Sequence, residues 1–410
     1  MDLAPFIGAV ICVTTLVLAF KGKKAIETAP EEYDLDNFEA DCASEVTIQL
    51  DEVETDDGTE DMLTPQLTES YLTLENYVGQ TRNVEYLLNH VRKSKATDKP
   101  LPHIVLWGSG GLGKSTLLKA AADHMGGRFF ELVPANLKTS KELFGVFFRK
   151  ECPTCHHYNP YSTNRCLECR ESISIYFTPR CSLKNKDIVF FEECHGLRED
   201  IEEAMYSLMQ DGYMMVRYNG IDQKVTFPNI TIAGATTQLG QLKKPFRDRF
   251  KLQLKLEHYT QDEMKQIIKM YAESRGLTID ESGLEILARI SHGVPRVAKN
   301  RLGDAETLSN DITIDEIQTV MRLLRLDENG LDDTHHKGMR HILARMKVSK
   351  NGGAGSASIA SSLGVPKIVW EELFEPALLY QDMIFMGSRG RRLTSKALEV
   401  YYATEKSEVK

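Results

Sequence analysis

The stretch HIVLWGSGGLGKST, residues 103–116, decides the fold of this 410-residue chain. Its first five residues are apolar and β-prone, a glycine-rich turn follows, and helix-forming residues begin at Ser115. Gly108, Gly113, Lys114 and Ser115 match G-x-x-x-x-G-K-[ST], in which glycine lets backbone N–H groups close around phosphate oxygens. We therefore predict a phosphate-binding loop, with Lys114 on the β- and γ-phosphates and Ser115 on Mg²⁺.

Charge is distributed unevenly along the chain. The 59 acidic and 50 basic residues give a net charge of −9. Residues 25–81 contain 17 acidic residues and no Lys or Arg, so the chain from Arg82 onward carries a net charge of +6. An acidic segment joined to a basic body is compatible with a polyanionic partner.

The N-terminus has the pattern of a membrane anchor. Residues 3–20 carry no charge, and a helix of that length spans about 27 Å, close to the hydrocarbon thickness of a bilayer. Lysines follow this run instead of preceding it, unlike the order in a cleaved signal peptide. We predict a transmembrane anchor at 1–20 with the rest of the chain in the cytoplasm; a buried core helix is the alternative.

The next segment, residues 21–70, is predicted to be an acidic, disordered tether. It contains too few periodic apolar residues to offset the entropy of ordering. Such a tether would let a folded body stand off the membrane.

Four of the cysteines have a regular spacing inside an insertion at residues 150–172. Cys152, Cys155, Cys166 and Cys169 give C-x₂-C-x₁₀-C-x₂-C, which is typical of a tetrahedral Zn²⁺ site with four thiolates. Four sulfur ligands leave no coordination position open, so the predicted role is structural. Four unrelated free thiols are the alternative, because disulfides are not expected in a reducing cytoplasm.

Two more apolar runs indicate buried strands. DIVFF, residues 187–191, leads into Glu192 and Glu193, as expected of a strand that delivers acidic groups to its carboxyl end. ITIAGATT, residues 230–237, is the second run. Residues 213–227 between them are predicted to form a β-hairpin, whose apolar side chains could equally face the core or a partner.

The order of these parts resembles the AAA+ ATPases, and specifically the RuvB family of bacterial Holliday-junction branch-migration motors. The resemblance runs from about residue 74 to residue 402. It is carried by LENYVGQ (74–80), GSGGLGKST (108–116), DIVFFEECHGL (187–197), IEEAMYSLMQD (201–211), IAGATT (232–237) with PFRDRF (245–250), HGVPRVAKNRL (292–302) and EELFEPALLYQDMIFMGSRGRRLTSKA (371–397).

This resemblance implies an α/β fold: an AAA+ P-loop core with a helical lid and a C-terminal winged helix. The implied boundaries are 71–257 for the large ATPase domain, 258–328 for the lid and 329–410 for the winged helix. It also implies a homo-oligomeric ring, such as a hexamer, with nucleotide sites between subunits.

The resemblance assigns ATP-binding residues position by position. The adenine would lie near Tyr77 and Val78. The phosphates would lie on the loop residues Gly108, Gly110, Gly111, Leu112, Gly113, Lys114, Ser115 and Thr116.

Five catalytic roles are implied in the same way. Glu193 would polarise the attacking water, and Glu192 would stand on the Mg²⁺ side. Thr237 would sense the γ-phosphate, and Arg296 would touch it from the lid. Arg249 would be the arginine finger that reaches the nucleotide of a neighbouring subunit.

The sequence departs from the family pattern in several places. The family has Asp where Glu192 stands, and the extra methylene alters the position of the carboxylate near Mg²⁺. The hairpin at 213–227, which would receive a RuvA-like partner, is about four residues shorter and differs in composition. The membrane anchor and the cysteine insertion are not part of the family pattern.

A basic turn near the C-terminus is a predicted DNA contact. Residues 334–349 and 357–374 are predicted to be helices, and LYQDMIFMGSRGRRLTSKA after them has the order strand, turn, strand and helix, as in a winged helix. Arg389, Arg391 and Arg392 surround Gly390 in the turn, and guanidinium groups on a protruding loop suit DNA phosphates. A solvated basic turn is the alternative.

The function expected from these features is ATP-driven movement on DNA, most like branch migration. The alternative is a membrane-held, clamp-loader-like AAA+ loader or remodeller of protein complexes, with the zinc module as a protein adaptor. The chain contains no H-E-x-x-H motif, so a fused metalloprotease is not supported. The expected cofactors are ATP, Mg²⁺ and Zn²⁺.

Overall fold

The computed structural model describes residues 46–48, 72–160, 163–173, 179–218, 221–348 and 352–399. The predicted anchor at 1–20 lies outside these residues, as does the predicted tether except for 46–48. Within the described ranges, no helix has the length and apolar character needed to cross a membrane.

The large domain contains most of the strands. In chain order its elements are β1 (Val46–Ile48), α1 (Thr81–Thr97), β2 (Ile104–Trp107), α2 (Lys114–Met125), β3 (Phe129–Leu132), α3 (Ser140–Phe147), β4 (Phe148–Glu151), β5 (Tyr158–Pro160), β6 (Pro179–Cys181), β7 (Ile188–Phe191), α4 (Glu199–Asp211), β8 (Tyr213–Tyr218), β9 (Ile221–Thr226), β10 (Thr231–Thr236), α5 (Lys244–Arg247) and β11 (Leu252–Lys255). Five strands form a parallel sheet in the order β11–β2–β10–β7–β3, which confirms the predicted α/β core.

Strand β10 is central to this sheet, and all six of its residues are buried. Ala233 lies in register with Ile104 of β2 on one side and with Phe190 of β7 on the other. Because the three strands are parallel, the residues that follow them meet at one edge. The sheet therefore brings together the phosphate loop, the acidic pair and Thr237.

Helices cover the sheet on both faces. Ile104 and Leu106 belong to a buried cluster that includes residues of α1, α2 and the lid, whereas Val105 belongs to a second cluster with α3 and α4. Successive strand residues point to opposite faces, so β2 contributes to both clusters. Each large apolar side chain buried in this way contributes about 1.5–3 kcal/mol.

The insertion is a small antiparallel sheet, β5–β4–β6, that starts where α3 ends. Its two ends lie side by side, because Ser182 N–H donates to the Phe147 carbonyl at 2.9 Å. Phe147 and Phe148 both contact the ring of Phe227 edge-on, at centroid distances of 5.6 and 5.0 Å. The insertion therefore packs against the base of the neighbouring hairpin.

The predicted hairpin is present as β8 and β9, which pair from Tyr213↔Thr226 to Tyr218↔Ile221. Met214 is buried, whereas Met215 is 46% exposed, so one side chain faces the core and the next is accessible.

Strand β1 pairs in parallel with the outer edge of β9. These three residues of the predicted tether are thus a strand instead of disordered chain, consistent with their β-branched sequence VTI.

The lid follows with four helices and a short two-stranded pairing. Its elements are α6 (Gln261–Ser274), β12 (Thr278–Ile279), α7 (Glu281–Ile290), α8 (Pro295–Glu306), β13 (Asp311–Ile312) and α9 (Ile314–Leu323). The sequence has helical patterns at 261–274, 280–291 and 295–309, which match the first three of these helices, whereas α9 was not predicted. The sequence signal for the start of α9 was a capping box. The Thr313 side chain accepts a hydrogen bond from the backbone N–H of Glu316, and the Glu316 side chain accepts one from the backbone N–H of Thr313.

The C-terminal domain has winged-helix order. Its elements are α10 (Asp333–Val348), α11 (Ser356–Leu363), α12 (Lys367–Val369), a π-helical turn (Trp370–Phe374), α13 (Glu375–Tyr380), β14 (Ile384–Gly387) and β15 (Gly390–Leu393). The expectation of one helix over 357–374 was wrong. Gly364 ends α11 in a left-handed conformation (φ 70°), and Pro366 follows two residues later.

Two helical glycines provide a test of packing in the lid and the winged helix. A Cβ added at Gly338 of α10 would lie 2.6 Å from the Trp370 ring, whereas one added at Gly303 of α8 would meet nothing within 4 Å. We expect Gly338→Ala to destabilise the protein by about 1–3 kcal/mol through overpacking. The matched change Gly303→Ala should stabilise it by about 0.4–1 kcal/mol.

Thermal unfolding of the two variants beside the unaltered protein measures both effects. Equal midpoints for the two variants would contradict the packing described for Trp370.

Candidate nucleotide site, cysteine cluster and wing

The phosphate loop joins β2 to α2, which begins at Lys114. Gly108 has φ +144°, and a Cβ there would lie 2.5 Å from the Leu256 carbonyl, so only glycine fits. The Lys114 ammonium donates to the carbonyls of Gly108 and Ser109 at 2.9 and 3.0 Å. Burial lowers the pKa of Lys114. The loop thus forms a closed turn with its cation at the centre.

The acidic pair follows β7 directly, as predicted. Glu193 has a left-handed backbone (φ 48°) and starts a short 3₁₀ turn. Its Oε2 accepts from the backbone N–H of Thr237 at 3.0 Å and from the Thr237 hydroxyl at 3.1 Å. The structure therefore joins two of the predicted catalytic residues through the ends of β7 and β10.

The lid closes the site from the opposite side. Arg296 lies in the first turn of α8, and its backbone N–H donates to the Gly111 carbonyl at 3.3 Å. A cavity of about 330 Å³ lies between the loop and this helix. Its lining contains predicted residues from three elements, namely Gly110, Gly111, Gly113, Lys114, Ser115, Thr116, Glu192, Glu193 and Arg296.

Sequence reasoning missed two polar groups that line the same cavity, Lys299 and Asn300. They lie three and four residues after Arg296 on α8, so they share its helix face. Their spacing of three and four residues from Arg296 was the signal in the sequence that could have indicated them.

A second cavity, of about 70 Å³, adjoins the phosphate site and is lined by Tyr77 and Val78. The Tyr77 hydroxyl donates to the Gly113 carbonyl at 3.2 Å and lies 3.4 Å from the Tyr259 hydroxyl. Burial raises the pKa of Tyr77 well above its usual value, so this hydroxyl stays protonated. The apolar lining suits a flat base, and Tyr259 and Ile267 are further lining residues that the sequence did not indicate.

Arg249 is not among the described residues of this chain that line the cavity between the phosphate loop and α8. Its guanidinium donates to the Pro245 carbonyl at 2.7 Å and to Gln210 at 3.2 Å, and it lies 4.3 Å from the centre of the Tyr206 ring. These contacts hold the Arg249 side chain at the surface of the segment that follows β10. The assignment of Arg249 as a finger toward a neighbouring subunit stays a prediction.

The four patterned cysteines come together in the insertion. Each offers a sulfur, and all four sulfurs lie within 4.8 Å of one another. Cys152 and Cys166 are fully buried. No other group of this kind is found in the described part of the chain.

The two halves of this cluster have the same backbone turn. His156 N–H donates to the Cys152 carbonyl, and Arg170 N–H donates to the Cys166 carbonyl, at 2.9 and 3.0 Å. Both His156 and Arg170 have positive φ, 58° and 64°. Such paired turns direct backbone N–H groups and sulfurs toward a common centre, which is the arrangement a tetrahedral thiolate site requires.

The three wing arginines differ in their surroundings. Arg389 is exposed in the turn between β14 and β15. The Arg392 guanidinium lies 6.0 Å from the centre of the Phe385 ring. Arg391 points inward, where it forms a two-pronged ion pair with Glu375 that includes an Nη2–Oε2 contact of 2.9 Å. Hydrogen bonding to Glu375 raises the pKa of Arg391 further.

The pairing of Arg391 limits the predicted DNA contact. A phosphate could engage this guanidinium only by breaking a nearly buried ion pair, which is costly. The sequence could not show this, because Glu375 is sixteen residues away. Arg389 and Arg392 stay predicted phosphate contacts.

Two family models match the chain. The Holliday junction DNA helicase RuvB P-loop domain matches residues 71–150 and 175–256, and the RuvB C-terminal winged helix domain matches residues 328–402. The unmatched gap between 150 and 175 contains the cysteine cluster.

Curated relatives and solved structures agree with these models. The Holliday junction branch migration complex subunit RuvB of Fervidobacterium nodosum is 31% identical over 355 residues, covering 83% of this chain and 92% of that protein. The Staphylococcus haemolyticus subunit is 30% identical over 335 residues, covering 80% and 90%. The solved Thermotoga maritima RuvB Holliday junction branch migration motor has a TM-score of 0.61 at 26% identity, covering 80% of this chain and 97% of that structure. This chain therefore belongs to the RuvB family of AAA+ ATPases.

Proposed function

We propose that this protein is an ATP-driven motor that moves branched DNA, as in Holliday-junction branch migration. The observation that carries the proposal is the union, in one chain, of a phosphate-binding cavity and a winged helix, matched by RuvB models over both domains. The relatives bear the name of branch-migration subunits.

Contacts between the domains support the conversion of hydrolysis into movement. The Tyr380 hydroxyl of the winged helix donates to the Tyr259 carbonyl, at the boundary of the ATPase domain and the lid, at 2.9 Å. Gln238, which follows the γ-phosphate sensor Thr237, donates to Glu372 of the winged helix at 3.1 Å. A change at the nucleotide would thus reach the domain proposed to bind DNA.

In the chemical step, each group has a role that its position allows. Lys114 would neutralise phosphate charge, and Ser115 with Glu192 would hold Mg²⁺. Glu193 would orient the attacking water, while Arg296 would stabilise charge from the lid. Glu192 lines the cavity, so its longer side chain is compatible with a metal ligand. Bound Mg²⁺ would supply a positive charge that favours the developing negative charge on the phosphate oxygens.

The surface around the hairpin supports a protein partner as well. Met215 is exposed on β8, and the insertion packs against the base of the hairpin through Phe227. This composite surface could receive a RuvA-like partner. It equally favours the second candidate function, a loader or remodeller of protein complexes that uses the insertion as an adaptor.

Under either function we propose a ring of subunits. The predicted role of Arg249 supports this, because the side chain would reach the nucleotide of a neighbouring subunit.

Zn²⁺ is the metal we propose for the cysteine cluster. Four sulfurs within 4.8 Å of one another, with two of them fully buried, fit a closed tetrahedral site. Asn159 is buried beside them, and its side-chain oxygen accepts from Leu167 N–H at 2.7 Å, which braces the second turn. The bound ion would hold the insertion in its folded shape.

We also propose that the N-terminal residues anchor the protein in a membrane, with the ATPase body in the cytoplasm. The uncharged run at 3–20 and the lysines at 21, 23 and 24 support this proposal.

The proposed function predicts a phosphate-binding wing. In the full-length protein, Arg389→Ala combined with Arg392→Ala should weaken binding to duplex and four-way DNA with little dependence on sequence. It should also flatten the slope of log affinity against log salt by about 0.9 for each phosphate that is no longer neutralised. ATPase activity measured without DNA should stay unchanged, because the turn does not line the nucleotide cavity. DNA titrations across a salt series measure both quantities.

Arg92→Ala is the matched control, since it removes an exposed arginine from α1. An unchanged affinity and slope in a double variant that still assembles would favour the protein-remodelling alternative.

The cysteine cluster should contain zinc. Elemental analysis of protein purified without chelator should find about one zinc per chain. Cys166→Ser should remove it, whereas Cys181→Ala, at a buried cysteine outside the cluster, should retain it. Zinc-free protein that keeps its fold would overturn the assignment.

The proposed anchor should bind the full-length protein to membranes. After cell lysis, the chain should sediment with membranes and resist alkaline washing, while a chain that lacks residues 1–24 should be released. Recovery of the full-length chain in solution without detergent would rule the anchor out.

A further inference from the structure

His195 lies two residues after Glu193, in the 3₁₀ turn Cys194–Gly196 that follows β7. Its Nδ1 is 3.1 Å from Glu193 Oε2, the same oxygen that accepts two hydrogen bonds from Thr237. Its side chain is 21% exposed, whereas that of Glu193 is 42% exposed. The imidazole is thus the more buried member of the pair and can fix the position of the carboxylate.

The same nitrogen lies 2.9 Å from the hydroxyl oxygen of Thr236, the last residue of β10. A carboxylate oxygen can only accept hydrogen bonds, so the contact with Glu193 is favourable only when Nδ1 carries a proton. The Thr236 hydroxyl oxygen also accepts from Gln238 N–H at 2.9 Å. Nδ1–H therefore stands between two acceptor oxygens, one on Thr236 at the end of β10 and one on Glu193, which follows β7.

Thr236 also connects to the phosphate loop. Its carbonyl accepts from Gly108 N–H, at the first glycine of the loop, at 3.3 Å. Thr236 is in register with Trp107, the last residue of β2. Hydrogen bonds thus connect the phosphate loop to His195 through Thr236, and His195 in turn lies at ion-pair distance, 3.1 Å, from the carboxylate of Glu193.

We propose that His195 is a positioning residue for ATP hydrolysis, which holds the Glu193 carboxylate against the end of β10 and links its orientation to the phosphate loop. The inference rests on the proposed role of Glu193 as the group that orients water. Within the described chain, the two hydrogen bonds that this carboxylate accepts from Thr237 and its contact with His195 all fall on Oε2, which leaves Oε1 for the attacking water. Among the described residues, loss of His195 would leave the carboxylate held by Thr237 alone and therefore freer to rotate, while the phosphate loop itself would be unaltered.

Three substitutions separate a positioning role from a merely structural one. The Asn side-chain amide is as many bonds from Cα as Nδ1 of histidine, whereas the Gln amide corresponds to Nε2. We expect His195→Ala and His195→Gln to lower kcat by about tenfold to a hundredfold, as for a misplaced catalytic group. His195→Asn should recover most of the rate. Affinity for a fluorescent ATP analogue and the unfolding midpoint should stay near the values of the unaltered protein.

His124→Ala, at the far end of α2, is the control for loss of an imidazole elsewhere. Glu193→Gln is measured in parallel and should bind nucleotide but hydrolyse little. Adding His195→Ala to Glu193→Gln should then cause no further loss, because both act through one carboxylate.

Each result has a defined meaning. Full activity of Glu193→Gln would remove the proposed role of Glu193 itself. An inactive Glu193→Gln together with an unchanged kcat in His195→Ala would overturn only the inference on His195. Equal losses in the Ala, Gln and Asn variants, with weakened nucleotide binding, would also overturn it, because they would indicate a structural role.

Discussion

The parallel hydrogen bonding of β10 to both β2 and β7 is the constraint on which the site depends. It fixes the ends of three strands at one edge of the sheet, where the phosphate loop, Glu193 and Thr237 follow. None of these groups is close to the others in sequence. Because β10 is buried along its whole length, it cannot shift without moving both neighbours, and the spacing of the groups that follow the three strands is thereby fixed.

The second constraint is the contact point between the lid and the winged helix. Gly293 precedes the lid helix α8, and a Cβ there would lie 2.5 Å from the Tyr259 carbonyl and 2.6 Å from the Tyr380 ring. Two segments of the lid and the winged helix thus converge on one small residue. Movement of the lid about this point has to be accommodated by the winged helix, which is how a local change at the phosphate would become a displacement of DNA.

Local patterns were sufficient to predict the sheet, the phosphate loop and most helices, because apolar periodicity and glycine spacing act over a few residues. The predictions failed where distant residues compete. Arg391 was expected to contact DNA, but a carboxylate from another element pairs with it. The helix expected over 357–374 is interrupted at Gly364. The roles of Lys299 and Asn300 depend on how the lid is oriented, which the sequence alone does not specify.

The chain leaves the large domain at Phe147 and returns beside it at Ser182. This proximity has an evolutionary consequence. Because β4 and β6 pair side by side, the unmatched residues between 150 and 175 that connect them could be gained or lost without separating the chain on either side. The RuvB model matches continuously up to residue 150 and again from residue 175. Residues could therefore be added at this point while the P-loop core keeps its sheet, with selection acting on the two parts separately.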